Sequence, residues 1–283
     1  MSNIKKKIAF TFALLSILPI QPAHSVLNGE IQDKNSWVVA ITIQSGGKTL
    51  LCSGVIVDTT TVMTGKHCVV DSKGIVSSDV LINHPGANYY FPATSEMEQR
   101  RVSKVVLVPI KPTKQVPDAG DIAFLHFAEP FSNFTIPEIA TEDQLKSLKP
   151  WSTIKGYGYG AKGEDGSIYS EELRQYNLSW GNDDHYIVSN VVIIASASSI
   201  GCSGDSGGPI TALLEDKREV VIGVAASIVN QGSNGCAQRD LNQLYFENFN
   251  LAHPYIMYKN YSPPVLKKKL VVAKKKIIKR KKI

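Results

Sequence analysis

"GCSGDSGGPI", residues 201–210, sets Ser206 among four glycines, with Asp205 directly before it and Pro209 shortly after. Glycine accepts backbone conformations that a side chain forbids. A turn built this way can aim consecutive backbone N–H groups into one small concavity, which is an anion site. If Ser206 attacks a carbonyl group, the developing oxyanion would sit there. Removing one such donor from enzymes that use it costs about 3–4 kcal/mol, so the geometry is a major catalytic term. A plain glycine turn explains the glycines but not Cys202, Asp205, Ser206 and Pro209 together with them.

A serine hydroxyl is a weak nucleophile until a neighbouring base takes its proton. Working outward, "TVMTGKHC" (61–68) offers His67 beside Cys68, and "GDIAFLHF" (120–127) offers Asp121 leading into an apolar run. A carboxylate there could hold the imidazole in one tautomer and stabilise its protonated form. Asp118 is a second candidate acid. His84, His126, His185 and His253 read as surface or strand residues without a role.

Around these points lie short runs rich in β-branched and aromatic residues, at 37–44, 51–57, 104–110, 122–127, 186–197 and 219–229. Val220, Ile222 and Val224 alternate with Val221, Gly223 and Ala225, the period of a strand. Clusters such as "NHPGAN" and "KGEDGS" punctuate the runs. Many short strands with few helical periods predict an all-β sandwich or barrel. Residues 128–150 are less patterned and can join two halves. One helix is expected at about 251–261, stopped by Pro263-Pro264.

Both ends of the chain differ from its body. Lys5 to Lys7, the apolar run 8–20 and Ala23-His24-Ser25 form the three parts of a secretory signal peptide, which predicts an exported protein cut before Val26. A membrane span would need about 20 apolar residues. Of the 31 Lys and Arg, three lie in this leader and ten between Lys267 and Lys282. Residues 26–266 therefore hold 18 basic against 25 acidic residues, a net charge of −7 that argues against a nucleic-acid-binding body. The tail reads as a disordered solubilising end or as a segment that binds an anionic surface or polyanion. The four cysteines, Cys52, Cys68, Cys202 and Cys236, imply two disulfides in an exported chain, with three connectivities open. No C-x-x-C or H-x-x-x-H spacing suggests a metal site.

Taken in order, Thr64-Gly65-Lys66-His67-Cys68, Asp121-Ile122-Ala123 and Gly204-Asp205-Ser206-Gly207-Gly208-Pro209 resemble the three signature blocks of the chymotrypsin/trypsin-like serine proteases. The likeness runs over nearly all of residues 26–261. It implies two packed antiparallel β-barrels, about 26–145 and 146–262, with the active site in the cleft between them and a short C-terminal helix. Leader 1–25 and basic tail 263–283 would flank them. It implies that Ser206 is the nucleophile, that His67 is the base and that Asp121 rather than Asp118 orients it. The backbone N–H groups of Gly204 and Ser206 would form the oxyanion hole. It also selects the pairings Cys52–Cys68 and Cys202–Cys236. The expected protein is a monomeric secreted endopeptidase that needs no cofactor and acts on protein or peptide substrates. The alternative is a catalytically weak or inactive relative that binds surfaces through its tail.

Two further expectations follow from the resemblance. The amine of Val26, freed at the cut, would pair with Asp205; cleavage after Ala23 would instead leave His24-Ser25 to be removed. The substrate pocket would be lined by Ile200, Ala226, Ser227 and Gln243. Ile200 stands where the trypsin-type subset keeps an Asp, and it cannot neutralise a Lys or Arg. Gln243 narrows the pocket relative to a glycine. Kinetics on a panel of peptides varied at the residue before the scissile bond should show a preference for small or modest apolar side chains; a clear preference for Arg refutes this pocket.

Overall fold

The computed structural model describes residues 29–32, 36–84, 98–108, 120–149, 152–161, 172–179, 187–188, 191–196, 201–229 and 245–251. After the short strand β1 (Glu30–Ile31), the first half of the chain forms β2 (Val38–Ser45), β3 (Lys48–Asp58) and β4 (Thr61–Thr64). A one-turn helix, α1 (Lys66–Val69), follows, then β5 (Val80–Asn83), β6 (Gln99–Leu107) and β7 (Ala123–Phe127). The order β2-β3-β4-β7-β6-β5 closes into a six-stranded barrel. Gly46 and Gly47, both at positive φ, make the two-residue turn between β2 and β3. That turn matches the right-handed twist of the strands it joins.

The second half forms β8 (Glu138–Ile139), α2 (Glu142–Ser147), β9 (Thr153–Gly158), β10 (Arg174–Ser179), β11 (Ile187–Val188), β12 (Val191–Ser196), β13 (Pro209–Leu213), β14 (Glu219–Val229) and β15 (Tyr245–Leu251). These strands and β1 build a nine-stranded sheet along the path β1-β10-β9-β13-β14-β15-β12-β11, with β8 beside β14. The pairing of Ser179 with Ala195 links β10 to β12 and closes six of the strands into a ring. Two packed, all-β barrels are the fold. The connection 128–150 is more structured than its sequence suggests. Thr141 and Gln144 form a reciprocal capping box at the start of α2, and β8 pairs with β14 in parallel. The helix expected over 251–261 lies outside the described residues except for Leu251, which ends β15.

Strands at the contact between barrels are apolar on both faces. Val39, Ile41 and Ile43 of β2 point into the first barrel with Val62, Leu125 and Phe127. Val38 and Ala40 face the other way and pack with Met63, Phe124, Tyr157, Val221 and Val224. Trp37 meets Tyr157 edge-on across this seam, with ring centroids 5.3 Å apart. Ile154, Tyr176, Ile210 and Ile222 fill the second barrel. The alternation expected along 220–225 changes phase part-way. Thr211 pairs with Val221 and Ile210 with Gly223, so Ile222 is bulged out of the ladder. One extra residue reverses every later face, and so Val224 joins the seam while Ala225 joins the second core.

Candidate active site

β4 ends at Thr64, and α1 begins two residues later, so His67 is held at the rim of the first barrel. The disulfide between Cys52 of β3 and Cys68 ties that helix to the barrel wall, as expected. Closing a loop of 16 residues in sequence separation is worth about 3 kcal/mol in the chain-entropy account. Asp121 lies just before β7, the strand paired with β4, which brings it beside the histidine. One carboxylate oxygen, Oδ1, accepts the His67 backbone N–H at 2.7 Å, and Oδ2 lies 2.5 Å from His67 Nδ1. An ionised carboxylate accepts only, so Nδ1 carries the proton and Nε2 is left basic. Asp118, the competing acid, lies outside the described residues.

The serine loop is two consecutive turns that share Asp205. Asp205 N–H donates to Cys202 O at 3.0 Å, and Gly208 N–H donates to Asp205 O at 2.8 Å. The third residue of each turn is a glycine at positive φ, Gly204 at 99° and Gly207 at 75°. This is the conformation such turns reserve for glycine, and it explains the glycine spacing around Ser206. The loop is anchored on both barrels. Gly207 N–H donates to Ala225 O of β14, and Ser53 N–H of β3 donates to Ser206 O, at 2.8 and 2.9 Å. Both Ser206 O and His67 Nε2 lie within 4 Å of the Cys68 sulfur, at 3.6 and 3.8 Å. His67, Asp121, Gly204, Asp205 and Ser206 are thus gathered at the seam.

Asp205 is buried, and its carboxylate accepts N–H groups from Cys202 and Gly160 at 2.7 and 2.8 Å. Burial pushes its pKa from 3.8 up to about 7, while those two backbone donors pull it down. Among the described residues no cation pairs with it. Cys202 is disulfide-bonded; its expected partner Cys236 lies outside the described residues, as do Val26, Ile200 and Gln243. Ala226 is buried and skipped in the β14–β15 ladder, and Ser227 pairs through its backbone with Asn248. Cys52, His67 and Cys68 bring three ligand-type atoms together. The two sulfurs are bonded to each other and so offer no thiolate to a metal.

Comparison with known proteins decides the family. A family model described as Trypsin matches residues 26–252. The chain belongs to the trypsin family. This trypsin-family chain is 27% identical over 230 residues to chymotrypsin-like elastase family member 1 of Macaca fascicularis, covering 74% of this chain and 81% of that one. It is 25% identical over 240 residues to tonin of Rattus norvegicus, covering 78% and 84%. Tissue-type plasminogen activator of Rattus norvegicus is 25% identical over 254 residues, which cover 80% of this chain but 43% of that longer protein. A solved structure titled "Structure of GrC" superposes with a TM-score of 0.63 at 18% identity, over 82% of this chain and 97% of that one, which supports the two-barrel fold. The trypsin-family chain is a serine endopeptidase, a hydrolase of protein or peptide substrates.

Sequence alone assigns no role to Ser53, and Thr64 stands there only as the first residue of a signature block. Thr64 Oγ1 donates to Ser53 O at 2.7 Å, and a Cβ at Gly207 would lie 2.0 Å from the same Thr64 oxygen. The serine loop therefore sits flush against the β3–β4 hairpin. Gly207→Ala adds both this clash and the strain of a side chain at positive φ. Peptide hydrolysis should fall by about 100-fold or more, the cost of displacing a reacting group by about an ångström. Steady-state kinetics on the variant, compared with its melting temperature, check this; activity within about twofold of the parent would contradict it.

Proposed function

We propose that this trypsin-family chain is a secreted endopeptidase, extracellular or periplasmic, working through an acyl-enzyme. Its two barrel units are taken as 26–145 and 146–262. Ser206 Oγ attacks the scissile carbonyl while His67 Nε2 takes its proton, and the same proton then passes to the leaving amine. Asp121 fixes the tautomer of His67 and stabilises the imidazolium. The N–H groups of Gly204 and Ser206 receive the oxyanion. The observation that carries this reading is the double contact of Asp121 with His67, through its backbone N–H and Nδ1, which makes Nε2 the nitrogen that exchanges the proton. No step calls on a cofactor, and the chain is taken to act as a monomer. The basic tail adds a contact to anionic surfaces or polyanions.

A fluorophosphonate probe tests the chemistry directly. The mature protein should label with a one-to-one stoichiometry, and Ser206→Ala should abolish labelling. An unlabelled mature protein would instead favour a binding role for an inactive relative.

Activation in this reading comes from the leader cut itself. The Val26 amine enters the body and supplies a cation to the Asp205 carboxylate, which pairs with none among the described residues. Leaving one partner of a buried pair uncompensated costs about 3–5 kcal/mol. In a form with one extra residue before Val26, the pKa of Asp205 stands at about 7, above its unfolded value of 3.8. Native protein then binds the proton more tightly than unfolded protein. The contribution of Asp205 to stability is full below pH 3.8 and is lost as pH rises through about 7. The loss amounts to about 4 kcal/mol. Denaturant titrations of the extended form should show this decline between those pH values, Asp205→Asn should flatten it, and the form starting at Val26 should lack it and be more active. N-terminal sequencing that finds a mature start at His24 would rule out the direct route.

A further inference from the structure

Ser53 lies in the middle of β3, wholly buried, and uses every polar atom it has on a neighbour from a distant part of the chain or on the adjoining hairpin. Its N–H holds Ser206 O and its carbonyl accepts the Thr64 hydroxyl. Its own hydroxyl donates to Gly204 O at 2.9 Å and accepts the Tyr159 N–H at 3.0 Å. On the other side of the Gly204 α-carbon, Ser203 O accepts the Ala161 N–H at 2.8 Å. Both peptide planes that meet at Gly204 are therefore gripped from outside the loop, one by Ser53 and one by Ala161.

Gly204 needs such grips more than any other residue would. Its φ of 99° is open to glycine, and glycine offers little resistance of its own to rotation of either flanking peptide. An N–H that is to meet a developing oxyanion must already point at it, since preorganisation is what makes the donor effective. We infer that Ser53 is a positioning residue for peptide hydrolysis: its buried hydroxyl, bridging Tyr159 N–H and Gly204 C=O, fixes the Gly204–Asp205 peptide and so the α-carbon of Gly204, on whose other side Ala161 holds the peptide that carries the Gly204 N–H. The inference rests on the proposed roles of Ser206 and Gly204. Without the hydroxyl, Gly204 O and Tyr159 N–H are both left buried without this partner, and the Gly204–Asp205 peptide loses one of its two grips, keeping the Asp205 N–H bond to Cys202 O.

The test compares the mature parent with Ser53→Ala, Ser53→Thr and Ser53→Gly. Active sites are counted by fluorophosphonate labelling, kcat and KM are measured on one peptide substrate, and binding of a peptide boronic acid, which takes a tetrahedral form on Ser206, is measured beside that of a peptide aldehyde-free product analogue. Ser53→Ala should lower kcat per labelled site by about tenfold, the rate equivalent of one hydrogen bond. KM and product-analogue affinity should stay within about twofold, and boronate affinity should fall in step with kcat. Ser53→Thr, which keeps the hydroxyl, should restore most of the loss. Should Ser53→Ala fold poorly, Ser53→Gly keeps the backbone bonds to Ser206 and Thr64 and must show the same split. An unchanged kcat in both hydroxyl-free variants, or a loss that Ser53→Thr does not repair, overturns the inference. Absence of labelling in the parent itself would instead strike the proposed catalytic role of Ser206.

Discussion

A carboxylate sealed inside the protein governs the serine loop. Asp205 sits between the two turns that present Ser206, and its side chain reaches inward to the N–H groups of Cys202 and Gly160. Two neutral donors offset part of the desolvation and leave the group well above the usual carboxylate range. Whatever compensates Asp205 also decides how firmly the turns on either side are held, because the same residue donates to Cys202 O and accepts from Gly208 N–H. Charge compensation and loop geometry are one problem here.

The seam between barrels answers a second requirement, that groups from separate halves meet at fixed distances. Each half is a closed ring and could shift as a body. The seam is packed with Trp37, Val38, Met63, Phe124, Tyr157 and Val221. Hydrogen bonds at the Ser53 hydroxyl then register the halves on one another, one donated to Gly204 O of the serine loop and one accepted from Tyr159 N–H. Apolar burial supplies adhesion without direction, whereas the buried polar contacts specify one relative placement.

The sequence made the chemistry legible because turn chemistry is local. Gly204, Gly207 and the residues between them declare a loop of one shape, Asp121 stands just before a recognisable strand, and His67 is picked out by its neighbours Gly65 and Cys68. Runs such as 219–229 matched their strand to the residue. Other features needed the fold. The bulge at Ile222 reverses the faces of β14, and no period in the chain announces it. The Thr141–Gln144 capping box and α2 go unread inside the less patterned stretch 128–150, where no apolar helical stripe marks a helix. Ser53 looked like an ordinary strand serine, since its partner Gly204 is 151 residues away.

That separation has a consequence for how the protein comes into being. His67 and Asp121, 54 residues apart, can meet once the first barrel closes. The turns around Ser206 take their anchors from β3, Gly160, Ala161 and β14, so they acquire their working shape only when both barrels have formed and docked. Contacts between residues so far apart pay their loop-closure entropy before any return, and they form late. Proteolytic competence is thus among the final properties that a folding chain acquires. A chain interrupted before the second barrel lacks Ser206 and every anchor that barrel supplies to the turns around it.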